Sequence, residues 1–213
     1  MARRMRDATF REEQIRGLRA AHIAPINALV DRLCDPSGEI WAPYVAPMYG
    51  GVNACLLSVL RDPGPKTNVD HGGSGFLCME NDDATAERIS TLFADVGIGA
   101  ADVVPWNAYP WYINKAPTAA QLDSGVGPLL ELIELMPRLR VVMLHGGSAH
   151  SGWRRLARRS PSTIADLTVI ETYHTSRQAF WHPDPAIREQ RAVHLAKAFI
   201  DAADALARQQ PTQ

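Results

Sequence analysis

Four short stretches carry residue types suited to chemistry, and each follows an apolar run. Asp62, in Asp62-Pro63-Gly64-Pro65, comes after Ala54-Cys55-Leu56-Leu57-Ser58-Val59-Leu60 and Arg61. Asn107 follows Asp102-Val103-Val104-Pro105-Trp106. His145-Gly146-Gly147-Ser148 follows Arg140-Val141-Val142-Met143-Leu144, and Tyr173-His174-Thr175-Ser176 comes after Leu167-Thr168-Val169-Ile170. A carboxylate such as Asp62 suits a general base, or a fixed negative charge beside a developing cation. His174 suits hydrogen-bond donation to a leaving anion. Asn107 carries one acceptor and two donors, so it reads an adjacent acceptor/donor pair in one plane. Uracil presents that pattern at O4 and N3–H; cytosine presents the reverse. Phe76 suits stacking on a flat ring. The glycine pair Gly146-Gly147, at a helix start, offers free backbone N–H groups to a phosphate. Arg154, Arg155, Arg158 and Arg159 lie just beyond it and suit contact with a nucleic-acid backbone. Each residue also has a plainer role: Asn107 in a turn, His174 at a strand end, Phe76 in the core, the arginines on a solvated helix face.

What would bring these residues together is the order of the elements that carry them. The aliphatic run at 54–60 predicts a buried strand, and Asp-Pro-Gly-Pro can neither extend a sheet nor start a helix. Three more short strands are predicted at 102–105, 140–144 and 167–170. Between them the spacing of apolar residues predicts a helix over 84–96, capped by Asp82 or Asp83 with Ile89, Leu92, Phe93 and Val96 on one face. Another helical region opens at Pro117-Thr118 and ends near Met136, with Gly125, Gly127 and Pro128 expected to break or delay it. A helix carrying Trp153 and Leu156 follows, and a last one spans about 184–207, with Val193, Ala196, Phe199, Ile200 and Ala203 inward. Upstream, residues 1–10 read as a frayed basic arm, 12–33 as one helix stopped by Asp35-Pro36-Ser37-Gly38, and 39–53 as a loop. Alternating strands and helices predict an α/β fold: a three-layer α/β/α domain around a four-stranded parallel sheet. Parallel strands place all four chemical stretches on one sheet edge, where open α/β sheets bind ligands.

The chain of 213 residues suits a single domain with a sizeable core. A formal charge of −1 means that nucleic-acid binding has to come from local patches. The cysteines Cys34, Cys55 and Cys78 show no metal spacing, the seven histidines are dispersed, and no metal or cofactor is expected. No run approaches a membrane span and no apolar signal core follows the first arginines, so a cytoplasmic monomer with no membrane partner is expected.

Taken in order, these segments resemble the uracil-DNA glycosylase superfamily over roughly residues 50–205. Asp62-Pro63-Gly64-Pro65 is similar to its water-activating motif, Gly75-Phe76 to the segment with the base-stacking aromatic, and Asn107 to the uracil-reading asparagine. Arg140 to Ala149 resembles the strand and turn that bind phosphate, Thr172-Tyr173-His174-Thr175-Ser176 the His-Pro-Ser motif, and Arg188 onward the terminal helix. The match has departures. Leu60-Arg61 replaces a glycine and a polar or acidic residue, and Thr175 replaces a proline. Gly64 stands where the uracil-only branch has a tyrosine. The iron-sulfur cysteines of the thermostable branch are absent.

The resemblance implies a monofunctional DNA glycosylase acting on uracil, or a related damaged pyrimidine, in single- or double-stranded DNA. It implies Asp62 and His174 as catalytic residues. Phe76, Asn107, Gly64 and Arg61 would meet the base, with Gly64 at C5. Pro63, Pro65, Gly146, Gly147, Ser148, Thr175 and Ser176 would hold the DNA, with Arg177 and Gln178 as a wedge. Two other readings stay open on the sequence: a DNA-binding protein of the same fold without catalysis, and a hydrolase of free nucleosides or nucleotides.

Overall fold

The computed structural model describes residues 3–208. The central sheet holds β2 (Leu56–Leu60), β4 (Val103–Asn107), β5 (Val141–His145) and β6 (Thr168–Thr172) in the order β4-β2-β5-β6, all parallel. β5 is buried throughout and β2 nearly so, as expected of inner strands covered on both faces. Pro105 lies on β4, an edge strand, where a missing N–H breaks no ladder. On one face α4 (Ala119–Glu134) packs against α5 (Gly147–Arg159), which lies on β5 and β2. On the other, α7 (Pro185–Arg208) covers β5 and β6 beside α3 (Ala84–Asp95), with Phe93 and Phe199 edge to face at 4.8 Å. The expected three-layer α/β/α architecture is therefore the observed one.

The predicted helix over 12–33 is two helices, α1 (Ala8–Gly17) and α2 (Ala24–Leu33). Pro25 sits in the first turn of α2, where its lost N–H is harmless; a continuous helix would put its ring against the carbonyl of Ala21. The basic arm, from Arg3 on, is docked: Arg3 pairs with Glu87 at 2.7 Å and with Asp82 at 3.2 Å, and Met5 is buried. Residues 1 and 2 lie outside the described residues. The predicted loop at 39–53 contains β1 (Tyr44–Val45), which pairs in parallel with β3 (Phe76–Leu77). Buried Asn27 fixes β1, accepting from Val45 N at 3.0 Å and donating to the carbonyls of Leu18 and Val45.

α4 runs unbroken through Gly125, Gly127 and Pro128, against expectation. Thr118 and Gln121 close a capping box at its start, and Leu122, Val126, Leu129, Leu132 and Ile133 are buried along it. Packing of that stripe outweighs the local penalty of a proline. Gly125 is required by close approach, since a Cβ there would lie 2.0 Å from the carbonyl oxygen of Ala108. The inward face of α7 is also displaced from the predicted one. Leu195, Ala198, Phe199, Ala202, Ala205 and Leu206 are buried, while Ala196 is exposed and Val193 and Ile200 are 63% and 51% exposed. In an alanine-rich helix two stripes share the same period, and the small residues let α7 lie close to the sheet.

Candidate active site

The four strand ends meet as the topology requires. Leu60 pairs with Asn107 and His145 with Thr172, and beyond them Ala108 N–H donates to Leu60 O at 2.8 Å and Gly146 N–H to Thr172 O at 2.8 Å. The loops leaving these strands enclose a cavity of about 600 Å³, lined among others by Asp62, Gly64, Asn107, Gly146 and His174.

The Asp62 side chain is 1% exposed. Its Oδ1 accepts from Arg61 Nε, while Oδ2 has no hydrogen-bond partner among the described residues. Burial raises the Asp62 pKa above its ordinary value; the Arg61 guanidinium and the backbone amides of Lys115 and Asn114 act against the rise. The backbone of Asn114 and Lys115, which the motif reading did not reach, lies near Asp62 but does not line the cavity. Asn114 has a φ of +49°, a left-handed conformation that asparagine tolerates better than most residues. Aromatic residues anchor that loop: Trp111 Nε1 donates to Leu33 O at 2.7 Å, and Tyr112 stacks on Trp41 at 5.0 Å.

Asn107 is 2% exposed and its Nδ2 has no partner among the described residues. A buried donor left unpaired costs about 1–3 kcal/mol, and native proteins hold few of them. Among the described residues six buried side-chain atoms have no partner. Trp106, next to Asn107, turns its side chain to the other face of β4, and Thr172 and Thr175 lie outside the lining. The unpartnered atoms of Asp62, Asn107 and His145 belong to residues lining one cavity. Such a concentration is what a polar ligand would satisfy.

His174 accepts a hydrogen bond at Nδ1 from Ser176 N–H at 3.0 Å. A backbone amide can only donate, so the neutral ring carries its proton on Nε2. Burial, then the nearby Arg61 charge, lower the His174 pKa to about 4, so the neutral ring prevails at physiological pH. Gly146 touches this residue. Its φ is +87°, and a Cβ there would lie 3.0 Å from His174 Cβ, so the turn requires glycine. Gly147 and Ser148 then open α5, whose first amides have no partner within the helix, and both residues line the cavity. His150, another residue the motif reading missed, donates from Nε2 to the carbonyls of Leu144 and Thr172 at 3.1 Å and ties the first turn of α5 to both strands.

The remaining expected site residues divide. Arg61, Pro65, Ser176 and Gln178 line the cavity. Pro63 is buried outside the lining, and Arg177 is exposed beside it. Thr175 is fully buried and absent from the cavity lining, and its carbonyl accepts from Arg88 at 2.9 Å. Phe76 is a correction: it is buried in β3 and absent from the lining, to which Leu77, Cys78 and Met79 contribute instead. Strand alternation turns Phe76 away from the side its neighbour Leu77 presents. Arg154 and Arg155 lie away from the cavity. They lie about 10 Å or more along α5 from Gly147. Arg155 is held by Asp123 at 2.7 Å and Ser151 at 2.6 Å, and neither arginine lines the cavity.

Among the described residues no group of histidine, cysteine or carboxylate side chains could hold a metal, and no helix is long and apolar enough to cross a membrane. No protein-family model matches the chain, and no curated protein matches it.

Proposed function

We propose that the protein is a monofunctional DNA glycosylase that hydrolyses the N-glycosidic bond of uracil, or of a related damaged pyrimidine, in DNA. The observation that carries this reading is the joint placement of Asp62, Asn107 and His174. Two buried groups with unused hydrogen-bonding atoms and a neutral imidazole protonated at Nε2 line one cavity, which is large enough to admit a base. In the proposed reaction the target nucleotide leaves the stack and its base enters the cavity. Asn107 donates to O4 and accepts from N3–H. The C1′–N1 bond breaks with its electron pair going to the base, and His174 Nε2–H donates to the anionic O2. Asp62 faces the sugar cation, orients a water toward C1′, and takes the proton that the water loses as its oxygen bonds to carbon. The products are the free base and an abasic sugar. The apolar wall beside the ring is Leu77, Cys78 and Met79.

The test compares uracil in an oligonucleotide with free deoxyuridine. Turnover on the oligonucleotide alone is expected. Equal turnover on the nucleoside would move the assignment to a nucleoside hydrolase.

Gly64 gives a sharper expectation. Its φ of −76° is open to any residue, and a Cβ there would meet nothing within 4 Å. Nothing in its backbone or surroundings therefore bars a side chain. If Gly64 faces C5, Gly64→Tyr is expected to lower excision of 5-hydroxymethyluracil at least about tenfold relative to uracil, a methylene-scale discrimination. An unchanged ratio would place Gly64 away from C5.

DNA affinity is expected to fall steeply with salt through the basic groups at the cavity mouth. Replacing Lys66 and Arg177 with alanine should flatten the slope of log affinity against log salt by about one unit per lost phosphate contact. Replacing Arg154 and Arg155 should leave it unchanged. The opposite pattern would put the DNA along α5.

A further inference from the structure

His174 lines the cavity, but the loop that carries it is fastened from outside. Arg88 of α3 donates from its guanidinium to the carbonyl of Thr175 at 2.9 Å. The same guanidinium lies over the Phe180 ring, 5.0 Å from its centre. The neighbouring Glu87 is taken by Arg3 at 2.7 Å, and no carboxylate pairs with Arg88 among the described residues. Neither Arg88 nor Thr175 lines the cavity, so Arg88 is placed to touch the loop and not a substrate. Farther along, Arg191 of α7 donates to the carbonyls of Ala179 and Trp181 at 3.0 and 3.2 Å. The segment 175–181 therefore has a separate anchor at each end.

The first anchor acts through a single peptide plane. The carbonyl of Thr175 and the N–H of Ser176 belong to the same peptide unit, which is trans, so they point in opposite directions. Arg88 holds the carbonyl, and the N–H donates to His174 Nδ1 at 3.0 Å. Turning the plane over would bring the carbonyl oxygen toward Nδ1, and only a protonated Nδ1 could donate to it. A neutral ring has one proton, so Nε2 would then be an acceptor and could not donate to O2 of a departing base. Thr175 itself is a weak lock on this plane. It stands where the motif it resembles has a proline, so its own φ is not fixed by a ring. A charged donor on the carbonyl also polarises the amide, which strengthens the N–H at its other end.

We propose that Arg88 is a positioning residue for the excision: by gripping the Thr175 carbonyl it fixes the 175–176 peptide, and through that peptide the form of His174 that donates from Nε2. The effect on excision rests on the glycosylase reading; the effect on the ring does not.

The ring nitrogens of His174 are read by nitrogen NMR at neutral pH, with His174→Gln identifying the signals. The parent is expected to show one neutral form, protonated at Nε2. Arg88→Met keeps an unbranched stem and loses the donors. It should bring in the form protonated at Nδ1 and lower single-turnover uracil excision about tenfold, the scale of one charged hydrogen bond. Arg191→Met, which frees the other end of the segment, should leave the ring form as in the parent. A parent ring protonated at Nδ1, or a folded Arg88→Met with the parent's ring form, overturns the proposal. So does an equal ring change in Arg191→Met, which would mean a general loosening of the loop. A changed ring with an unchanged excision rate overturns it too. If Arg88→Met does not fold, Phe180→Leu removes the ring beneath the guanidinium and carries the same test with a smaller effect. If the parent releases no base while Arg88→Met still changes the ring, the glycosylase reading falls and the hold of Arg88 on His174 stands.

Discussion

Asp62→Asn is expected to lower the single-turnover rate of uracil excision by at least about 100-fold while leaving affinity for uracil-containing DNA nearly unchanged. The change is isosteric. An asparagine carbonyl can still accept from Arg61 Nε, as Asp62 Oδ1 does, so the loop keeps its anchor. What is lost is the negative charge on the side chain whose Oδ2 has no partner among the described residues. The ground-state sugar is neutral, so that charge matters little for binding. The sugar becomes cationic only as the glycosidic bond breaks, and an interaction made only then acts on the rate. The control is Asp70→Asn, an exposed carboxylate on the turn Val69–His71, which should leave both quantities unchanged. Equal losses at the two positions would remove Asp62 from the mechanism.

Asn107→Asp is expected to reduce uracil excision about 10- to 100-fold, the scale of an unmet pair of buried hydrogen bonds. Asn107 is held at the end of β4 by the Leu60 register and is 2% exposed, so its amide cannot turn to solvent. Against uracil, a carboxylate keeps the acceptor for N3–H and replaces the donor for O4 with a second negative oxygen. The loss should appear in binding of the extruded base as well as in the chemical step, which separates it from the Asp62 effect. A variant that processes uracil as well as the parent would make Asn107 a structural residue of the strand end.

How legible this was in the sequence depends on what decided each element. The sheet was readable because β2 and β5 are short, continuous aliphatic runs that only a covered parallel sheet accommodates, and because proline and glycine follow β2 at once. The shared edge of Asp62, Asn107, His145 and His174 followed from that topology. The unbroken α4 was not readable, since it depends on a buried stripe and on Gly125 fitting against Ala108. Nor was the face of α7, where alanines make two stripes equivalent until the sheet selects one. Phe76 misled because an aromatic next to a glycine looks the same in sequence whether it faces a ligand or a core; pairing with β1 decides it. The arginines of α5 lie farther from the cavity than their place in the sequence suggests, because nearness in sequence to Gly147 is distance along a helix axis. Asn114 and Lys115 approach Asp62 through backbone amides and His150 staples two carbonyls, arrangements that leave no motif in the sequence and show only in the fold, as the positive φ of Asn114 and the carbonyl contacts of His150.

The most direct test of the central claim is base release. Purified protein is incubated with a single-stranded oligonucleotide carrying one uracil and with the same strand carrying thymine or cytosine. The free base is quantified by chromatography alongside abasic sites, and DNA binding is measured in parallel. Free uracil and abasic sites are expected in equal amounts, with no release of cytosine and with binding to all three strands. Binding to the uracil strand without release of uracil would contradict the glycosylase reading and leave a DNA-binding protein.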